Sequence, residues 1–253
     1  MRGRADTAQD DRERQEVRFW SESPTERPGA ASLDVLTLKM AEARVLLEKF
    51  ARFERELASA TTILELGGGQ CWVSCLVKRQ FGEGRTVIGS DIAPGAVASV
   101  PEWERVLDVS LDGALACRSY EVPVRSGGVD LVLVFAAAHH FGAHRRTLAE
   151  LARVLAPGGR ILYLHEPGCR LYLHRAARRR VNNKRPVVPE DVLVYRRIAA
   201  LGRAAGLSVE LEFAPTLTAR GAVETLYYGV LRRFPKLQHL LPCTVDLVIT
   251  KPG

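Results

Sequence analysis

The sequence lacks any apolar run long enough to cross a bilayer, which takes about 20 consecutive residues. Its opening stretch, MRGRADTAQDDRERQEVRFW, is charged throughout and has no apolar signal core. Both absences predict a cytoplasmic protein without a transmembrane segment. Cysteine is sparse: Cys71, Cys75, Cys117, Cys169 and Cys243 are an odd number scattered along 253 residues, which argues against a disulfide framework. Cys71 and Cys75 stand one helical turn apart, but no histidine or cysteine follows at the spacing of a zinc site, so no metal is expected. Internal repeats and low-complexity tracts are also missing.

What is present suits an α/β protein: 253 residues, 47% hydrophobic, enough to bury a full core. The net charge of +7 gathers in HRAARRRVNNKR, where Arg175, Arg178, Arg179, Arg180, Lys184 and Arg185 either attract an anionic partner or solvate a helix face. Residues 1–30 mix charges with Ser, Pro and Gly and read as a flexible segment or lid, with Phe19 and Trp20 positioned to close over a ligand. Residues 31–253 read as one domain. Ser32 is a plausible N-cap for one long amphipathic helix, LDVLTLKMAEARVLLEKFARFEREL. Beyond it, the β-branched runs TTILEL, RTVIGSD, DLVLVFAA, GRILYLHE, LSVELEF and VDLVITK alternate with helical patterns. This alternation predicts a mostly parallel sheet with helices on both faces and a ligand site at the carboxyl ends of its strands.

ILELGGGQCW, Ile63 to Trp72, ends a strand in three glycines and opens a helix, a device that brings backbone amides close to a ligand. In a dinucleotide fingerprint the third glycine would fall at Trp72, whose bulk disfavours that ligand. Glu65 precedes the glycines within reach of a cationic or amino-bearing group. Asp91 closes the second strand 22 residues after Gly69, the spacing at which a carboxylate meets ribose hydroxyls.

With Asp130 opening VDLVLVFAAAHHF, and with TLAELARVLAPGGRILYLHEP downstream, the succession resembles the class I S-adenosylmethionine-dependent methyltransferases, in their small-molecule, type 11-like branch. The resemblance implies a Rossmann-like fold with a mostly parallel seven-stranded sheet, and S-adenosylmethionine as cofactor. It implies that Glu65, Gly67, Gly68 and Gly69 hold the methionine end, with Gln70 at the helix entry. Asp91 would accept from the ribose, Ile92 would pack on the adenine, and Phe135 would lie near the sulfonium. The third strand would end in CRSYEVP, placing Arg118, Ser119 and Tyr120 at the adenine edge. Two positions depart from the pattern. Cys71 replaces a loop glycine, acceptable if its φ is negative. Arg118 stands where an acidic residue often reads the adenine amine; arginine has no acceptor, so that amine would need Ser119, a backbone carbonyl or water, while the guanidinium could stack on the ring.

His139 and His140, after the fourth strand, are the candidate bases, and Trp20, His165, Glu166, Arg178, Tyr195 and Tyr228 the candidate acceptor contacts. Inserts at about 167–200 and 214–243 would build the acceptor pocket. The strand end carries AAAHH, neither the Asn-Pro-Pro-Tyr type motif of amide and adenine enzymes nor a Pro-Cys nucleophile. The expected acceptor is a small molecule, such as a sugar, lipid-linked compound or secondary metabolite, drawn in by anionic groups. RNA bound through residues 175–185, or a non-catalytic scaffold, are the alternatives.

Overall fold

The computed structural model describes residues 4–22, 27–29, 32–183, 188–216 and 221–253. Lys184 and Arg185 of the basic block, and residues 217–220 of the second insert, lie outside these. The strands are β1 (Thr62–Glu65), β2 (Thr86–Asp91), β3 (Gly113–Ala116), β4 (Val129–Phe135), β5 (Leu155–Cys169), β6 (Leu193–Val194), β7 (Ser208–Phe213) and β8 (Cys243–Thr250). The helices are α1 (Arg4–Glu22), α2 (Leu33–Arg52), α3 (Glu54–Ser59), α4 (Trp72–Phe81), α5 (Pro94–Val97), α6 (Val100–Leu107), α7 (His144–Val154), α8 (His174–Asn182), α9 (Tyr195–Ala204) and α10 (Ala222–Arg233). None of the described helices is long and apolar enough to cross a membrane.

The sheet runs β3-β2-β1-β4-β5-β8-β7, with β8 antiparallel to both neighbours and the other pairs parallel. It has eight strands where seven were expected. β5 continues to Cys169, and this extension leaves an edge on which the two-residue β6 pairs in parallel. Alternation along β4 divides the core. Val132 and Val134 face Leu148 and Leu151 of α7, whereas Leu131, Leu133 and Phe135 face Leu46 and Phe50 of α2 and Val73 and Val77 of α4.

Three local readings change. β3 lies at Gly113–Ala116, upstream of CRSYEVP, because small residues suffice on a strand whose alternate positions are exposed. The helix capped by Ser32 breaks at Phe53 (φ −106°, ψ 25°) into α2 and α3. Ala156 to Gly159 loop out of the β4–β5 ladder, with Gly158 at φ +76°, so the Pro-Gly-Gly turn lies within the span of β5. Of the segment expected to be flexible or a lid, residues 4–22 form α1.

A buried ion pair ties a covering helix to the sheet. Lys49 Nζ of α2 lies 2.6 Å from Asp246 Oδ2 of β8, both buried, and Asp246 Oδ1 accepts from His165 N at 2.9 Å. Removing one partner strands a charge out of water, so Lys49→Met should lower unfolding stability by about 3 to 5 kcal/mol in a denaturant titration. Adding Asp246→Asn should restore most of that loss, since the amide oxygen still accepts from His165.

Candidate active site

The strand order reverses between β1 and β4, and the loops at their carboxyl ends carry the predicted residues. Glycine is required in the loop after β1. A Cβ on Gly68 would fall 2.5 Å from the Glu65 carboxyl carbon, and one on Gly69, at φ +55°, would fall 2.8 Å from the Trp20 ring. Cys71 also adopts a left-handed conformation, φ +56°, not the negative φ expected of it. Its side chain fills the space opposite Gly89, where a Cβ would meet the Cys71 Cβ and Sγ at 2.7 Å. The backbone strain, about 1 to 2 kcal/mol for a non-glycine residue, is thus held in place by packing.

Glu65 accepts from Ser74 N at 2.9 Å and from the Ser74 hydroxyl, capping α4 from the strand before it. Burial pushes its carboxyl up to about 7 against these hydrogen bonds. Asp91 accepts from Gly69 N at 2.8 Å and Ala93 N at 2.9 Å, and burial pushes it up to about 6. Each oxygen still has accepting capacity. Both face a cavity of about 510 Å³, whose wall includes Gly67, Gly68, Gly69, Ile92, Ser119 and Phe135.

α1 closes this cavity, with Arg12, Glu13, Glu16, Phe19 and Trp20 on its inner face. Glu13 accepts from Arg118 Nε at 2.8 Å and from the Tyr120 hydroxyl at 2.6 Å. Arg118 and Tyr120 are therefore anchors for α1 and do not line the cavity, and the expected stacking of Arg118 gives way to this ion pair. Gln70 is likewise turned aside, accepting from Trp103 Nε1 at 2.9 Å.

A second cavity of about 510 Å³ adjoins the first, and the two share Glu42, Ala136, His140 and Glu190. Its walls include His139, His165, Arg180, Glu224 and Tyr228. Of the acceptor contacts expected from sequence, His165 and Tyr228 lie here, and Trp20 lies on the first cavity. Tyr195 packs against Gly168 and Phe213. Arg178 is exposed near Asp191, at 3.9 Å. Glu166 lies on neither wall; it is buried beneath the turn Ala138–His140, accepting from the backbone N–H of Ala137, Ala138 and His139 and bonding His139 Nδ1 at 2.8 Å. Burial opposes its ionisation, yet His139 and these donors hold it below the usual carboxylate range. His140 Nδ1 bonds Glu16 Oε1 at 2.6 Å. Sequence reasoning missed Arg12, Glu16, Glu42 and Glu190. The spacing of Arg12, Glu13, Glu16, Phe19 and Trp20 on one helical face was the available signal for α1.

Residues 64–163 match a family described as a methyltransferase domain. This match supports membership of the class I S-adenosylmethionine-dependent methyltransferase superfamily. A demethylmenaquinone methyltransferase of Thermus thermophilus is 33% identical over 107 residues, 42% of this chain and 47% of that protein. The tRNA (carboxymethyluridine(34)-5-O)-methyltransferase ALKBH8 of Mus musculus is 52% identical over 52 residues, 19% of this chain and 8% of that protein. The chain thus spans less than half the length of these curated relatives. Among solved structures, the geranyl diphosphate C-methyltransferase of Streptomyces coelicolor, in complex with Mg2+, geranyl-S-thiolodiphosphate and S-adenosyl-L-homocysteine, superposes with a TM-score of 0.70 at 12% identity, covering 95% of this chain and 98% of that one. At that identity the likeness is one of fold.

The methyltransferase cofactor is S-adenosylmethionine, and the first cavity fits it. Two buried carboxylates with raised pKa favour a cationic ligand, and the glycine loop leaves room for backbone approach alone. Asp91 loses an accepting oxygen when protonated below about 6, and Glu65 gains its charge above about 7. Cofactor affinity, read by calorimetry, should therefore rise with pH through 6 and 7 and then level off. The ligand-free protein should behave oppositely. Glu65 contributes stability below its ordinary 4.5 that is lost as pH rises through about 7. Thermal melts should show that loss, and Glu65→Gln should remove it.

Proposed function

We propose that this methyltransferase acts on a small molecule held in the second cavity, with S-adenosylmethionine in the first. The supporting observation is the junction of the two cavities at Glu42, Ala136, His140 and Glu190. Methyl transfer needs an in-line approach of the acceptor atom to the methyl carbon, and two chambers meeting at the end of β4 permit one. The cofactor supplies an electrophilic methyl group on a sulfonium. The chain's own residues bind, orient and exclude water.

Asp91 accepts from the ribose hydroxyls in this reading, Glu65 faces the amino end, and Ile92 and Ser119 flank the base. Phe135 packs between Trp72 and His165, with centroids 6.1 and 5.8 Å away, and stiffens the wall between the chambers. His139 and His140 each have Nδ1 held by a carboxylate, so one ring nitrogen of each remains for the acceptor side.

The second cavity presents Glu42, Glu190 and Glu224 against Arg180, which lies 3.5 Å from Glu224. That balance supports a neutral or cationic acceptor bearing hydroxyl or amine groups, where an anionic one was expected. Tyr227 and Tyr228 offer it aromatic surface. A second reading, an RNA-directed methyltransferase, rests on the exposed Arg175, Arg178 and Arg179 of α8 and on the short likeness to the tRNA enzyme. Binding to bulk RNA that falls steeply with salt and is lost when these arginines become glutamine would favour it; no binding at low salt would remove it.

Asp91→Ala should weaken S-adenosylhomocysteine binding by about 1 to 3 kcal/mol in calorimetry, through lost hydrogen bonds. Unchanged affinity would reject the ribose assignment, and no binding by the unaltered chain would return the non-catalytic scaffold reading.

A further inference from the structure

We propose that His139, His140 and Glu190 form a divalent transition-metal site where the two cavities join. One donor atom from each side chain lies within 4.8 Å of the other two. Donors sharing an ion with bonds of about 2.1 Å stand roughly 3 to 4 Å apart, so side-chain movements of about 1 Å close the set. Two imidazoles and one carboxylate are a ligand set that suits zinc, iron, cobalt or manganese and leaves coordination positions open.

The partners of the two histidines carry the argument further than proximity does. A metal-bound imidazole ordinarily gives its other ring N–H to a carboxylate, which fixes the tautomer and raises the basicity of the ligating nitrogen. Both rings have that partner: His139 Nδ1 with Glu166 Oε2 at 2.8 Å, and His140 Nδ1 with Glu16 Oε1 at 2.6 Å. Nε2 is then the nitrogen each ring offers. The partners come from opposite sides, Glu166 from β5 and Glu16 from α1, and the two rings lie 4.3 Å apart. Pinning the turn after β4 explains the His139–Glu166 pair alone. The donor atoms of His140 and Glu190 lie within 4.8 Å of each other and of that of His139.

Charge favours the site. Among the described residues, Glu16, Glu42, Glu166 and Glu190 lie around the two rings, against Arg12, which donates to His139 O at 3.0 Å, and Lys39, which pairs with Glu42 at 3.1 Å. A divalent ion would offset that excess of carboxylates. The three ligands come from the turn after β4 and from the segment between α8 and β6, and Glu190 N–H and C=O are both tied to Asn182. The open positions would face the acceptor, and two oxygens on adjacent carbons would chelate there, with the ion lowering the pKa of the bound hydroxyl. That acceptor role rests on the methyltransferase reading; binding of the ion does not.

The test uses the full chain, freed of metal with a chelator and titrated with cobalt(II) chloride, following the visible absorption of the bound ion and the heat of binding. One equivalent should bind, and zinc should displace it. Glu190→Gln and His140→Ala should each weaken binding at least about ten-fold, and Glu16→Gln about 10- to 100-fold, the range for loss of such a partner. The double variant His140→Ala/Glu190→Gln keeps all five cysteines and so reports any binding by thiols. Circular dichroism melts establish that each variant is folded. The proposal is overturned if the unaltered chain binds cobalt, zinc and manganese no better than the double variant. S-adenosylmethionine calorimetry on the metal-free protein separates the outcomes: cofactor binding without any metal binding would leave the methyltransferase reading intact and remove this one.

Discussion

The Glu166 carboxylate organises the place where everything functional meets. It sits fully buried at the far end of β5, beyond a register shift against β8, and next to His165 at φ +60°. That irregularity turns it beneath the end of β4, where it collects three successive backbone N–H groups and the ring of His139. Without it, three amides would lack partners in a dry region, each costing about 1 to 3 kcal/mol. With it, the turn Ala138–His140 has a fixed shape, both histidines have fixed directions, and Ala136 is held at φ +49° between the chambers. The neighbouring Lys49–Asp246 pair, through Asp246 and His165 N, secures the same stretch of β5 from the opposite side.

Much of the fold was legible because its evidence is local. TTILEL, RTVIGSD and DLVLVFAA are apolar on consecutive residues since both faces of these strands are covered, and that pattern survives in the sequence. β3 was placed too far along because GALA has little hydrophobic signal, its alternate residues being exposed. β6 was invisible, since two residues have no periodicity and pair only because β5 is long. α1 was hidden by composition: its polar residues find partners across the molecule, in Arg118, Tyr120 and His140, rather than in a hydrophobic face.

The site divides along the same line. Glu65, Asp91 and the glycines stand at strand ends, so spacing along the chain reports their position in space. The acceptor chamber draws on α2, the turn after β4, β5, α8 and α10, and no interval in the sequence records that Glu42, Glu190 and His140 meet. Arg118 and Glu166 illustrate the resulting errors. Each is a polar residue beside the site, and each was given to a ligand when it belongs to another residue of the chain.

The pairing of Cys71 with Gly89 has a consequence for how this loop could change. A side chain at 71 is possible only because the strand behind it has none, so the glycine absent from the loop is in effect displaced into β2. The two positions form one volume, and their substitutions are coupled. Enlarging residue 89 is blocked while 71 keeps its side chain, whereas glycine at 71 would leave the Ser74 hydroxyl, at 3.2 Å, against an alanine at 89. Divergent sequences sharing this architecture would then have to travel through the doubly small intermediate, which makes the order of the two substitutions as constrained as their identity.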